Sequence, residues 1–114
     1  MNLDEKQMIN EVYDIAMSLE VAEHIFEKQS VNFMDTLTGL ANVILFSAAI
    51  PHQGGQGHVN EQWQSYWVRR FKDYGYECVD IIRDKIWDND EIWFYYKQNM
   101  LMFVKSMGGY STDL

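Results

Sequence analysis

Two carboxylates and an imidazole stand at Glu20, Glu23 and His24, in the string SLEVAEH, directly after an apolar run from Tyr13 to Leu19. Read as a turn or helix start, the i, i+3, i+4 spacing puts all three on one side. Two oxygen donors and one nitrogen suit Mg²⁺ or Mn²⁺, and Zn²⁺ less comfortably. The plainer alternative has Glu20 and Glu23 capping a helix start while His24 packs locally. The apolar run reads as a buried strand, and in open α/β sheets ligands bind at the carboxyl ends of strands. A second group lies on and after the loop HQGGQGHVN: His52, His58, Asn60, Glu61 and Trp63. An imidazole with an unperturbed pKa of about 6.5 can accept a hydroxyl proton, so His58 is a candidate general base. A purely structural loop is the alternative.

The elements that must position these groups follow from periodicity. Asn42–Ala49 is continuous and apolar, the pattern of a strand in a parallel sheet covered on both faces, and Pro51 stops it. Ser30 is a candidate N-cap for a helix reaching Leu40, with Phe33, Met34, Leu37, Leu40 and Ala41 in helical register. Asn60 is a candidate cap for a helix over 61–74, with Trp63, Tyr66, Trp67, Phe71 and Tyr74 on one face. These aromatics read as core more readily than as a substrate stack. Gly75 ends that helix as a C′ glycine does. A strand is expected over 77–83, a short acidic aromatic helix or turn over 88–96, and a last strand over 100–105. The order β-α-β-α-β-(α)-β implies an α/β sheet, with residues 1–11 as a lead-in and 106–114 as a tail.

Gly54-Gly55-Gln56-Gly57 does not read as a nucleotide cradle. Such a cradle needs a glycine turn passing from a strand directly into a helix amino terminus, and here His58-Val59-Asn60 intervene. A flexible lid on the substrate side is the expectation. The net charge of −8 argues against binding to a phosphate backbone, so no nucleic-acid partner is expected. Arg69-Arg70 and Lys72 read as a solvated helix face. Cys78 is alone, which excludes an internal disulfide, and its apolar setting suits an inert thiol. The polar, acidic start MNLDEKQMINE is not a secretory signal, and Val43–Pro51 is too short to span a bilayer. A soluble, cytoplasmic chain without membrane contact is the expectation.

The strings SLEVAEH, VILFSAAIP, GGQGHVNEQW and IWDNDEIWFYYKQNMLMFV together resemble the carboxyl-terminal half of class I S-adenosylmethionine-dependent methyltransferases, over about residues 12–105. The resemblance implies a partial Rossmann-like sheet holding the family's strands 4-5-7-6, the last of them antiparallel. It implies S-adenosylmethionine as cofactor, contacted here by Ser18, Leu19 and Glu20, and transfer to the oxygen of a small-molecule acceptor. The loop after the family's fifth strand lies over the substrate, which makes His52, Asn60, Glu61 and Trp63 candidate substrate contacts. The E-x-x-E-H string also resembles that of metal-assisted O-methyltransferases, one group acting on ubiquinone precursors and one on small-RNA 3′ ends. That likeness adds His58 to Glu20, Glu23 and His24 as a fourth metal ligand.

The family's G-x-G-x-G turn and the acidic residue on the ribose have no counterpart in this sequence. The chain therefore reads as an acceptor-side half that starts at its own Met1. Its first strand would be left with an unpaired apolar edge, which proteins seldom tolerate. Pairing with a second copy, or with a separate amino-terminal half, is the expectation. Trp87 and the WFYY run at 93–96 would line an acceptor pocket or an oligomer interface. A non-enzymatic remnant acting as a dimeric interaction module is the alternative function. RNA modification rests on the metal motif alone, against the acidic charge.

Overall fold

The computed structural model describes residues 3–5 and 11–106, so most of the expected lead-in and nearly all of the tail lie outside the described residues. In chain order the elements are β1 (Ala16–Leu19), α1 (Ser30–Thr38), β2 (Val43–Ser47), α2 (Gln64–Asp73), β3 (Tyr76–Val79), α3 (Ile82–Ile86), α4 (Phe94–Asn99) and β4 (Leu101–Lys105). Two 3₁₀ turns, Ala22–His24 and Glu27–Gln29, join β1 to α1. The strands form one mixed sheet in the order β1-β2-β4-β3. β1 and β2 are parallel, and β4 runs antiparallel to both of its neighbours. The chain is thus α/β, with helices flanking a four-stranded sheet.

The reversal at β4 follows from what precedes it. α3 and α4 are only one to two turns each, and β4 opens beside the end of β3, with Met102 opposite Val79. The chain never travels back to the other end of the sheet, so β4 must return antiparallel. One consequence is central to the site: the amino end of β4 sits with the carboxyl ends of β1, β2 and β3.

The register divides the strand residues between two faces. On one, Ala16, Ile44 and Phe103 lie side by side, as do Ser18, Phe46 and Leu101. All six are buried. Both longer helices close this face. Phe33, Met34 and Leu37 of α1 and Trp67 and Phe71 of α2 belong to the same core. Phe71 stacks on Phe103 with ring centroids 3.9 Å apart and meets Phe46 edge-on at 5.1 Å. Tyr76 is also buried, and its hydroxyl donates to the carbonyls of Thr38 and Ala41.

Several boundaries differ from the sequence expectation. The first strand is regular only from Ala16; Tyr13 is tied separately, by a parallel bridge to Ala41. Ser30 does not cap α1. It is the first helical residue, and its hydroxyl donates back to the Glu27 carbonyl at 2.6 Å, extending the preceding 3₁₀ turn. α2 begins three residues later than expected, after Trp63, because Asn60 is buried and engaged by Gln62. The strand expected over 77–83 stops at Val79, where Asp80 ion-pairs with Arg83 across the first turn leading into α3. Gly75, with φ of +85°, does end the α2 segment.

Candidate functional site

The turn after β1 begins with a strained residue. Glu20 has φ of +55°, a region that side chains other than glycine seldom occupy. Its N–H donates to the Ser47 carbonyl at 2.8 Å, which locks the end of β1 to the end of β2. The Glu20 carboxylate then points into a polar cluster. Oε1 accepts from Gln53 Nε2 at 3.1 Å and from Asn99 Nδ2 at 3.3 Å, and Asn99 also donates to the Gln53 side chain at 2.9 Å. The second oxygen, Oε2, is buried without a partner.

Glu23 faces a different direction and is wholly buried. Its Oε2 accepts the Ala49 N–H at 2.7 Å. Its backbone carbonyl accepts the N–H groups of Val59 at 2.8 Å and Asn60 at 3.0 Å. Glu23 therefore holds both ends of the 49–60 loop. Burial pushes its carboxyl pKa up, the neighbouring Glu20 charge adds to that, and the Ala49 hydrogen bond opposes it.

The loop carries its own ionic clasp. The Glu61 carboxylate accepts the N–H of His52 at 3.2 Å, the N–H of Gly54 at 2.9 Å and Nδ1 of His58 at 2.8 Å. The His58 contact holds the Glu61 carboxyl below its ordinary range. Because a carboxylate only accepts, His58 Nδ1 carries the proton, and Nε2 is the basic nitrogen of the neutral ring. Gly55 packs so closely on that ring that a Cβ there would lie 2.6 Å from Nε2. His24 meets His58 edge-on, with centroids 4.8 Å apart, and its Nδ1 donates to the Gly57 carbonyl at 3.1 Å.

The sequence candidates thus fall into separate groups. His24, His58 and Glu61 come together on the loop. Glu20 turns toward Gln53 and Asn99, while Glu23 turns inward. Among the described residues no three His, Cys, Asp or Glu side chains are arranged to hold a metal ion. The expected set of Glu20, Glu23, His24 and His58 is not among such groups: Glu23 Oε2 takes the Ala49 N–H, and its Oε1 is buried without a hydrogen-bond partner. Glu61 and His52 serve the loop itself, Asn60 is buried, and Trp63 stands exposed at the start of α2. Within the glycine loop, the Glu61 carboxylate takes the N–H groups of His52 and Gly54.

Ser18 lines a cleft with Leu3, Met17, Val21 and Phe33, and its hydroxyl is buried without a partner. The cleft measures about 160 Å³, well under the roughly 300 Å³ at which small-molecule sites begin. Alone it does not hold a molecule the size of S-adenosylmethionine. A second cleft of about 300 Å³ is lined by Asp80, Arg83, Asp84, Trp87, Lys97 and Gln98. Trp87 of the expected aromatic pocket is there; the WFYY residues are not. Gln53 and Asn99 went unforeseen: Asn99 lies 79 positions from Glu20, and only the antiparallel entry of β4 brings them together. No described helix is long and apolar enough to cross a membrane. No family model, curated protein or solved structure matches the chain.

Proposed function

We propose that the chain is the acceptor-side half of a class I S-adenosylmethionine-dependent methyltransferase, acting on an oxygen of a small polar molecule. The observation that carries this reading is the strand order β1-β2-β4-β3 with β4 alone antiparallel. This order agrees with the 4-5-7-6 order that the resemblance implies, and SLEVAEH lies at and just beyond the carboxyl end of β1. His58 is the group that takes the acceptor's proton: Glu61 fixes Nδ1–H and leaves Nε2 to accept. The cleft between Asp80 and Gln98 has the charged lining of a polar acceptor site. Ser18 contributes to the cofactor side only in part, as the small cleft beside it requires further residues.

The test is isothermal titration of S-adenosylhomocysteine into the chain joined to a half-domain bearing G-x-G-x-G. Micromolar binding supports the reading, and its absence rejects it. The small cleft favours one other reading, a non-enzymatic interaction module. The same titration, set against the half-domain alone, separates the two, since a module adds nothing to nucleoside binding.

A further inference from the structure

Two unfinished surfaces of the sheet meet along β1. β2 occupies the inner edge of β1, and among the described residues no strand pairs with its outer edge. The face opposite the closed core carries Met17 and Leu45 side by side, then Met102 and Val104, all half-buried or exposed. Ile15 and Met17 are 55% and 65% exposed. No Lys or Arg of the four strands points to this face, and exposed Glu11 and Asp14 flank the approach to β1.

A single occupant must satisfy both surfaces. A second copy paired edge to edge along β1 extends the sheet sideways and leaves the open face bare. A copy stacked face to face covers the face and leaves the edge unpaired. Either arrangement also adds another −8 charges. A strand followed by a helix satisfies both at once. From β1 through α1 to β2 the chain moves inward, with α1 on the closed face. Crossovers between parallel strands are right-handed almost without exception. Strands that progress outward from β1 therefore carry their helices on the opposite face, which is the open one.

We propose that the outer edge of β1 and the open face together dock a partner chain of α/β type. Its strand pairs with β1, its helix covers Ile15, Met17 and Leu45, and basic residues at its rim face Glu11 and Asp14. The reading under Proposed function enters only in the choice of probe. That probe is a separately expressed class I methyltransferase half with strands 1–3, its G-x-G-x-G glycines replaced so that docking does not depend on cofactor.

The full chain is mixed with this probe and followed by sedimentation, by amide exchange over residues 13–19, and by peroxide oxidation of Met17 and Met102. Buried Met34 is the internal reference. The chain alone is expected to be monomeric with Met17 reactive. The mixture is expected to form a one-to-one complex that slows edge exchange and shields both methionines. Met17→Lys and Ile15→Lys each weaken it by about tenfold or more, since a charge is driven into an apolar contact. Both positions are exposed, so melting temperatures stay unchanged and the loss is read as docking. Self-association that protects edge and methionines together overturns the proposal, as does a complex protecting only one surface, or no complex. A docked complex with intact glycines that ignores S-adenosylhomocysteine sinks the methyltransferase reading and leaves docking standing. Nucleoside binding by the fused chain beyond that of the half-domain alone, with no docking of the separate halves, does the reverse.

Discussion

The two faces of the sheet come from the same four strands and are almost equally apolar, yet only one is closed. On the closed face Ile44, Phe46 and Phe103 are at most 1% exposed. On the other, Leu45, Met102 and Val104 keep part of their surface in water. An antiparallel sheet with one solvated face normally alternates apolar with polar residues; β2 reads VILFS and β4 reads LMFVK, with no such alternation. Strands are written this way when both faces are to be covered. This difference between the faces is the observation on which the proposed docking rests.

The comparison breaks most sharply in the closed face. Phe71→Ala removes the ring stacked on Phe103 and touching Phe46 and Tyr76. It is expected to cost about 3–5 kcal/mol, as aromatic truncations in a core do, measured by urea denaturation. A cost no larger than that of an open-face truncation would mean the two faces are not distinct.

Glu23 comes next. Replacement by Leu keeps the volume and leaves the Ala49 N–H buried without an acceptor, an expected loss of about 1–3 kcal/mol. Its pH behaviour is more telling, because the same loop holds Glu61 with the opposite shift. The folded state raises the pKa of Glu23, so it holds more protons than the unfolded chain above about pH 4.5. The stabilisation from Glu23 is then greatest at low pH and is lost as pH rises through the raised value. The folded state lowers the pKa of Glu61, so its contribution is present above the unfolded value and is lost as pH falls. Glu23→Gln should flatten the high-pH decline, and Glu61→Gln the acid-side loss, in melting temperatures recorded from about pH 2 to 8. Matching profiles for both variants would show that the loop titrates as one unit.

Gly55→Ala has a smaller and more local effect. The residue sits at φ of +151°, and an added Cβ would meet the His58 ring at 2.5 Å. The ring must move off Glu61, at a cost of about 1–2 kcal/mol on the scale of such backbone and rotamer strain. Histidine NMR should then show the Nδ1–H signal of His58 lost or exchanging, with the core unchanged. An unperturbed signal would mean that the glycine does not set the ring.

Much of the fold was legible because it rests on local pattern. The continuous apolar run at 43–47, the helical register of Phe33, Met34 and Leu37, and Gly75 after α2 all announce themselves within a few residues. The site was legible only in pieces. His58 and Glu61 are three apart, so their contact lies within reach of a sequence reading; that Glu61 also gathers the His52 and Gly54 N–H groups does not. Glu20 and Glu23 look equivalent by spacing. A positive φ at Glu20 sends one carboxylate toward Asn99 and leaves the other buried beneath the loop. Caps misled for a similar reason. Ser30 and Asn60 are good capping residues, but each finds a nearer partner in the segment before its helix.

The smallest effect tests the comparison from its other side. Leu45→Ser sits on the open face of a central strand, beside Met17 and Met102. Were that face closed within the chain, the substitution would cost several kcal/mol, as core truncations do. With the side chain already partly in water, the loss should stay near 1 kcal/mol, at the low end of large-to-small substitutions. The ratio of this loss to that of Phe71→Ala is the informative quantity, because both are read from the same denaturation curve and share its reference state. A ratio near one would place an internal segment over Leu45 and remove the case for a docked partner. A ratio well below one, with Leu45→Ser weakening association more than stability, ties the open face to what it binds.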